Sequence, residues 1–142
     1  ANQSFTRNRL RKLLPALQKE GITAERIEQT TEHLARASDC LNELSDQWIA
    51  TYGVSAGNGA ITFPVSAFKA LHEELALRVM RSLLRQVSNL VSDEIRFDSL
   101  NTLVGDMRTH AYSFKTRTLH HCVIYAHNTD FNIMPEKSFQ KT

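Results

Sequence analysis

From Thr23 to Gly53 the chain keeps one helical stripe without interruption. Ile27, Leu34, Leu41 and Trp48 stand seven apart, and Thr31, Ala37, Leu44 and Tyr52 fill the same side. At about 3.6 residues per turn this is a helix of roughly eight turns, and no other feature restricts the fold as strongly. Thr23 offers the N-cap, Glu25 sets an acid where the helix dipole favours one, and Gly53 ends the run. Seven-residue spacing also suits a coiled coil. The intermediate positions, however, are threonine and alanine as often as leucine, which favours a bundle helix. So long a helix must lay its apolar side on a partner. The stripe Leu75, Val79, Leu83 and Val87, with Met80, Leu84 and Leu90 beside it, is the expected one.

The other segments fall in place around this pair. Phe5 to Lys19 reads as helix through Leu10, Leu13, Leu14 and Leu17, with Gly21 ending it. Pro15 either kinks that helix or sits in the first turn of a following one. "SAGNG", 55–59, is a turn, "AITF" before Pro64 is a short extended piece, and Ser66 is placed to cap the next helix. Val65 to Leu71 and Glu73 to Val91 read as helical, broken near His72, with Arg78, Arg81 and Arg85 on the side away from the apolar stripe. A short helix is expected from Ser99 to Arg108, capped by Asp98 or Ser99. The period then changes. "TLHHCVIYAH" and "FNIMPE", joined by "NTD", read as two strands around a polar turn, followed by a frayed tail from Lys137 to Thr142. The expected fold is mainly α, a helical bundle with a small C-terminal β-hairpin. Its divisions are a linker helix at 1–20, a helical region at 21–112 and the hairpin with its tail at 113–142.

Charge is uneven along this framework. The net charge of the 142 residues is only +2, so any polyanion contact must come from local clustering. Residues 1–20 hold five basic groups (Arg7, Arg9, Arg11, Lys12, Lys19) against Glu20, a local +4. Residues 21–65 hold six acids against Arg26 and Arg36, a local −4. Two cysteines, Cys40 and Cys122, are too few for a disulfide framework, so a cytoplasmic setting is expected, and no apolar run is long enough for a membrane span.

Catalytic and metal chemistry find little support. G-x-S-x-G, G-x-x-x-x-G-K-[ST] and H-E-x-x-H are all missing, and the five glycines build no phosphate-cradling loop. His120, His121, Cys122 and His127 are the one dense set of soft ligands. No pair among them has structural-zinc spacing, and on a strand His121 and Cys122 point to opposite faces. No catalytic residue and no metal ligand is assigned. The remaining signal is the basic opening, where Arg7 and Arg11 share a helical face and Arg9 lies roughly opposite.

That opening, "FTRNRLRKLLPAL", resembles the motif that follows the ATP-binding domain of tRNA(Ile)-lysidine synthases: aromatic-x-R-N-x-[IL]-R, a short apolar spacer, then L-P-x-L. Phe5, Arg7, Asn8, Leu10, Arg11, Leu14, Pro15 and Leu17 stand in register with it. The order that follows is similar too: a long acidic helix with an aromatic, a short strand, then a helix carrying "RVMRSLL". The closing "RTLHHCVIYAHNTDFNIMPE" resembles the terminal hairpin R-T-L-G-G-C-x-[IV]…I-x-R-E, with His120 and His121 at the glycine positions and Pro135 at the arginine.

The resemblance implies a function. That family attaches lysine to the wobble cytidine of an isoleucine tRNA anticodon, adenylating the base with ATP before the lysine amine displaces AMP. Its S-G-G-x-D-S loop has no counterpart here, so the chain reads as the linker and substrate-recognition region, beginning at a seam and inactive alone. ATP and Mg2+ would belong to the full-length enzyme, with no cofactor in this piece. Its partners would be the anticodon region of tRNA(Ile) and the N-terminal catalytic domain of the same chain. Arg7, Asn8, Arg11 and Lys12 would contact RNA or hold the domain seam. Leu10, Leu14 and Leu17 are expected to point elsewhere, leaving the arginines free. The alternative is a stand-alone helical adaptor that binds another protein through the Ile27–Tyr52 stripe.

Overall fold

The computed structural model describes residues 2–139. Residues up to Cys40 form one compact unit and those from Leu41 a second. The first holds α1 (Asn2–Lys19) and the start of α2 (Ala24–Tyr52). α1 continues through Pro15 to Lys19, so Pro15 lies inside it and not in the first turn of a following helix, although it offers no N–H to the Arg11 carbonyl. It ends in a Schellman turn. Gly21 takes φ +82°, its N–H donates to the Gln18 carbonyl at 3.1 Å, and the Ile22 N–H donates to the Leu17 carbonyl at 2.9 Å. Thr23 caps α2 as expected, its Oγ1 accepting from the Arg26 N–H at 3.2 Å. The Arg26 guanidinium reaches back to the Gly21 carbonyl at 3.0 Å and ties the two helices' junction.

The second unit adds β1 (Val54–Ser55), β2 (Ile61–Pro64), α3 (Val65–Lys69), α4 (Glu73–Ser88), α5 (Phe97–Thr109), β3 (Arg117–Leu119), β4 (Cys122–His127) and β5 (Asp130–Pro135). Five strands make one antiparallel sheet in the order β1-β2-β5-β4-β3. The expected predominance of helix and the C-terminal hairpin both hold, and the expectation of a helical bundle with nothing more than a hairpin is corrected. The hairpin is the centre of a sheet, because the short extended piece before Pro64 is a strand, β2, that pairs along β5, Phe63 against Phe131. Two caps also differ. Pro64, not Ser66, precedes α3, and α5 begins at Phe97 after Arg96, neither with a side-chain cap. At His72 the expected break is real: its Nδ1 accepts from the Glu74 N–H at 3.1 Å, starting α4. Asn89, in the left-handed region at φ 60°, stops α4 before Leu90. The 3₁₀ turn Glu136–Ser138 follows β5, and the Phe139 ring lies 5.8 Å from that of Tyr125, so the expected fraying does not hold as far as Phe139. Residues 140–142 lie outside the described residues.

The core sits between one face of the sheet and α4 with α5. β5 alternates strictly, burying Phe131, Ile133 and Pro135. α4 buries Ala76, Leu77, Val79, Met80, Leu83, Leu84 and Val87, and α5 buries Leu100, Leu103, Val104 and Met107. Phe63, Phe68 and Phe131 are at most 1% exposed and meet with ring centroids 5.5–5.8 Å apart. Trp48 of α2 closes this cluster edge-on, 5.7 Å from Phe63 and 6.2 Å from Phe68. The long α2 stripe thus divides. Trp48 packs on the core, Leu41 is half-buried, but Ile27 and Leu34 are 45% and 65% exposed, so their expected burial against α4 is corrected. Among the described residues no helix is long and apolar enough to cross a membrane.

Replacing Phe131 by Ala is expected to cost about 3–5 kcal/mol, because the lost ring leaves a hole among three aromatic neighbours. Leu34→Ala is expected to change stability by no more than about 0.5 kcal/mol. Chemical denaturation of the two variants checks both.

Candidate nucleic-acid interface

Arg7, Asn8, Arg11 and Lys12 all lie on α1 and all are exposed, as is Arg9. At about 100° per residue, Arg7 and Arg11 are about 40° apart around the axis, and Asn8 and Lys12 follow as the next pair on the flank. The leucines do not point wholly elsewhere. Leu14 stands seven residues after Arg7, so two turns bring it back to within about 20° of it. Leu14 and Leu17 are half-buried, while Leu10 and Leu13 are 56% and 54% exposed. The arginines consequently border the apolar stripe. No carboxylate of the described residues is ion-paired with Arg7, Arg11 or Lys12. Such a face presents planar, unspent donors suited to phosphate oxygens and to stacking on unpaired bases.

The soft-ligand set has a different geometry from the one expected. "TLHHCVIYAH" is not one strand: His120 and His121 form the two-residue turn between β3 and β4, with φ of 50° and 59°. Both central residues in the left-handed region define the tight hairpin turn whose twist matches its strands. Glycine is the residue that adopts this without strain, and the resembled hairpin has glycine at both positions. His120 is held there by its Nε2–H, which donates to the Leu90 carbonyl at 3.0 Å. His127 lies at the far end of β4. Among the described residues no three His, Cys, Asp or Glu side chains converge as a metal site. Cys122 is fully buried, its thiol donating to the Leu84 carbonyl at 3.5 Å. Burial first, and the Glu136 carboxylate second, push that thiol up to about 11.

A second basic feature emerges only from the tertiary structure. Arg78, Arg81 and Arg85 line a cleft of about 590 Å³ together with Asn42, Ser45 and Asp46 of α2. The arginines are legible on α4 as its polar side. The α2 residues carry no local signal, since they matter only through the packing of α2 beside α4. Compared with known proteins, the chain matches no family model, no curated protein and no solved structure.

The hairpin and its buried thiol can each be tested. His121→Gly is expected to stabilise the protein by roughly 0.5–1 kcal/mol by relieving the left-handed backbone, read as a raised melting temperature. The thiol separates the cysteines. At neutral pH an alkylating reagent is expected to modify exposed Cys40 and spare Cys122 until the chain unfolds. The stability carried by the neutral Cys122 thiol is fully present below the ordinary value of 9.0 and is lost as pH rises through about 11.

Proposed function

We propose that this chain is the tRNA-recognition part of a tRNA(Ile)-lysidine synthase, acting beside an N-terminal catalytic domain that uses ATP and Mg2+. The observation that carries the reading is α1. The residues in register with the lysidine-synthase motif include Arg7, Asn8 and Arg11, which form an exposed basic face, and Leu14 and Leu17, which are half-buried around a helical Pro15. Of the motif's apolar members Leu14 and Leu17 turn inward while Phe5 and Leu10 stay exposed beside the arginines, which fits a helix that packs along its C-terminal half and offers its N-terminal half to an anion. The left-handed backbone at His120 and His121 supports the same reading, because a G-G pair in the resembled hairpin has the conformational reason to be there. In this role Arg7 and Arg11 hold phosphates of the anticodon arm while the wobble cytidine is modified elsewhere, and the chain's contribution is orientation.

A helical adaptor is the second reading, favoured by the 45% and 65% exposure of Ile27 and Leu34 on α2. Apolar docking through those residues is insensitive to salt, whereas phosphate binding is not.

Binding of an isoleucine tRNA anticodon stem-loop, measured against salt concentration, separates them. Arg7→Ala and Arg11→Ala are each expected to weaken binding and to lower the salt slope by about 0.7–0.9 for each phosphate no longer neutralised. Arg9→Ala, on the opposite side, is expected to do less. Equal slopes and unchanged affinity, with stability alone altered, would leave Arg7 and Arg11 as a domain seam. No stem-loop binding by the wild-type chain even at low salt would defeat the tRNA reading and favour the adaptor.

A further inference from the structure

The geometry points to a phosphate-binding site in the cleft between the C-terminal half of α2 and α4, formed by Arg81, Arg85 and Ser45 and separate from the basic face of α1. The three arginines of α4 recur at three and four residues, so their guanidinium groups stand on one side of the helix above the buried stripe. Their circumstances differ. Arg78 is committed, its Nε donating to Glu74 Oε1 at 2.9 Å and another nitrogen to Asn42 Oδ1 at 2.8 Å. Arg81 and Arg85 are half-buried, and no carboxylate of the described residues lies within ion-pairing distance of either. Asp46 shares the cleft without pairing with them, so once Glu74 has matched Arg78 two guanidinium groups remain there with one carboxylate.

Two buried polar atoms in the same cleft lack partners. Arg85 Nε makes no hydrogen bond, and neither does the Oγ of Ser45, a residue only 3% exposed. Burying a hydroxyl or a guanidinium nitrogen without a partner is unfavourable, and here two residues that line one cleft each carry such an atom. A tetrahedral oxyanion answers all of these features at once. It accepts from the Arg85 fork and from Arg81, takes a hydrogen bond from the Ser45 hydroxyl, and offsets the local positive charge. Phosphate suits the cleft better than a carboxylate because its oxygens diverge in three dimensions, as do donors arriving from two helices. The source of the phosphate is either the backbone of an RNA or a free phosphate group. The site stands whether or not the lysidine-synthase reading does.

The test is titration of inorganic phosphate into the full chain, followed by calorimetry and by backbone amide shifts. One site is expected, with affinity falling roughly tenfold or more in Arg81→Gln and in Arg85→Gln. Ser45→Ala is the sharper probe. It removes a buried hydroxyl that has no partner, so the melting temperature is expected to hold or rise while phosphate binding weakens. A structural role for Ser45 predicts the reverse. Should Arg85→Gln fail to fold, Arg81→Gln and Arg85→Lys decide the matter, the latter keeping charge while losing the planar fork. An RNA stem-loop then identifies the source. Displacement of phosphate by RNA assigns the site to a phosphodiester, and phosphate retained beside bound RNA assigns it to a free phosphate group. Arg7→Ala is expected to leave phosphate affinity unchanged, which keeps this site distinct from α1. The proposal is overturned if neither phosphate nor RNA binding depends on Arg81, Arg85 or Ser45 in variants that retain the wild-type circular dichroism.

Discussion

The pairing of β2 with β5 is the contact on which the rest of the second unit depends. It joins residues 61–64 to residues 130–133 across the whole helical middle of the chain and sets Phe63 directly opposite Phe131. That register brings Phe63, Phe68 and Phe131 together, and Trp48 and Phe114 close on them. Because side chains alternate across a strand, a slip of one residue would turn Phe131 and Ile133 to the opposite face and remove the surface on which α4 rests. The turn between β4 and β5 extends the link, since the Thr129 carbonyl accepts from the Val65 N–H at 2.9 Å as α3 begins. Closing so long a loop is slow in folding, and the aromatic burial is what offsets its entropy.

Arginine is handled in distinct ways across the same unit. Arg117 pairs with Asp106, and Arg108 donates to the Leu71 carbonyl at 3.0 Å, so both tie α5 to its neighbours. Arg78 joins Glu74 one turn away and Asn42 across the cleft. These are fixed by short-range geometry within the fold. Arg81 and Arg85 stand apart from that pattern, half-buried beside a serine hydroxyl that nothing in the described residues satisfies. The arginines of α1 are different again, exposed and bordering an apolar stripe. A polyanion engages the two kinds differently. Solvated arginines contribute mainly salt-dependent attraction, and desolvated ones contribute directional, charge-assisted hydrogen bonds.

Local signals carried far in this sequence because local chemistry governs helix ends and turns. Gly21, Thr23, His72 and the 55–59 turn all act where the residue pattern places them. A left-handed glycine, a side-chain cap and a tight turn need only their immediate neighbours. The seven-residue period likewise determined that α2 exists and where it stops. The polar side of α4 and the basic side of α1 follow from the same helical geometry.

What those patterns left undecided was which elements meet. Ile61–Pro64 has the composition of a short extended piece in any context, and only the Phe63–Phe131 register makes it an inner strand. Ile27 and Trp48 occupy equivalent places in one stripe, yet Trp48 joins the core and Ile27 remains exposed, since burial depends on what lies opposite. Ser45 is the sharpest instance. Its sequence surroundings are those of an ordinary helical surface, and the helix packing alone buries it at 3% exposure beside Arg85. Period and capping are written residue by residue, and the chain itself determined them. Burial and the company of charges are pairwise properties, and the tertiary structure decided those.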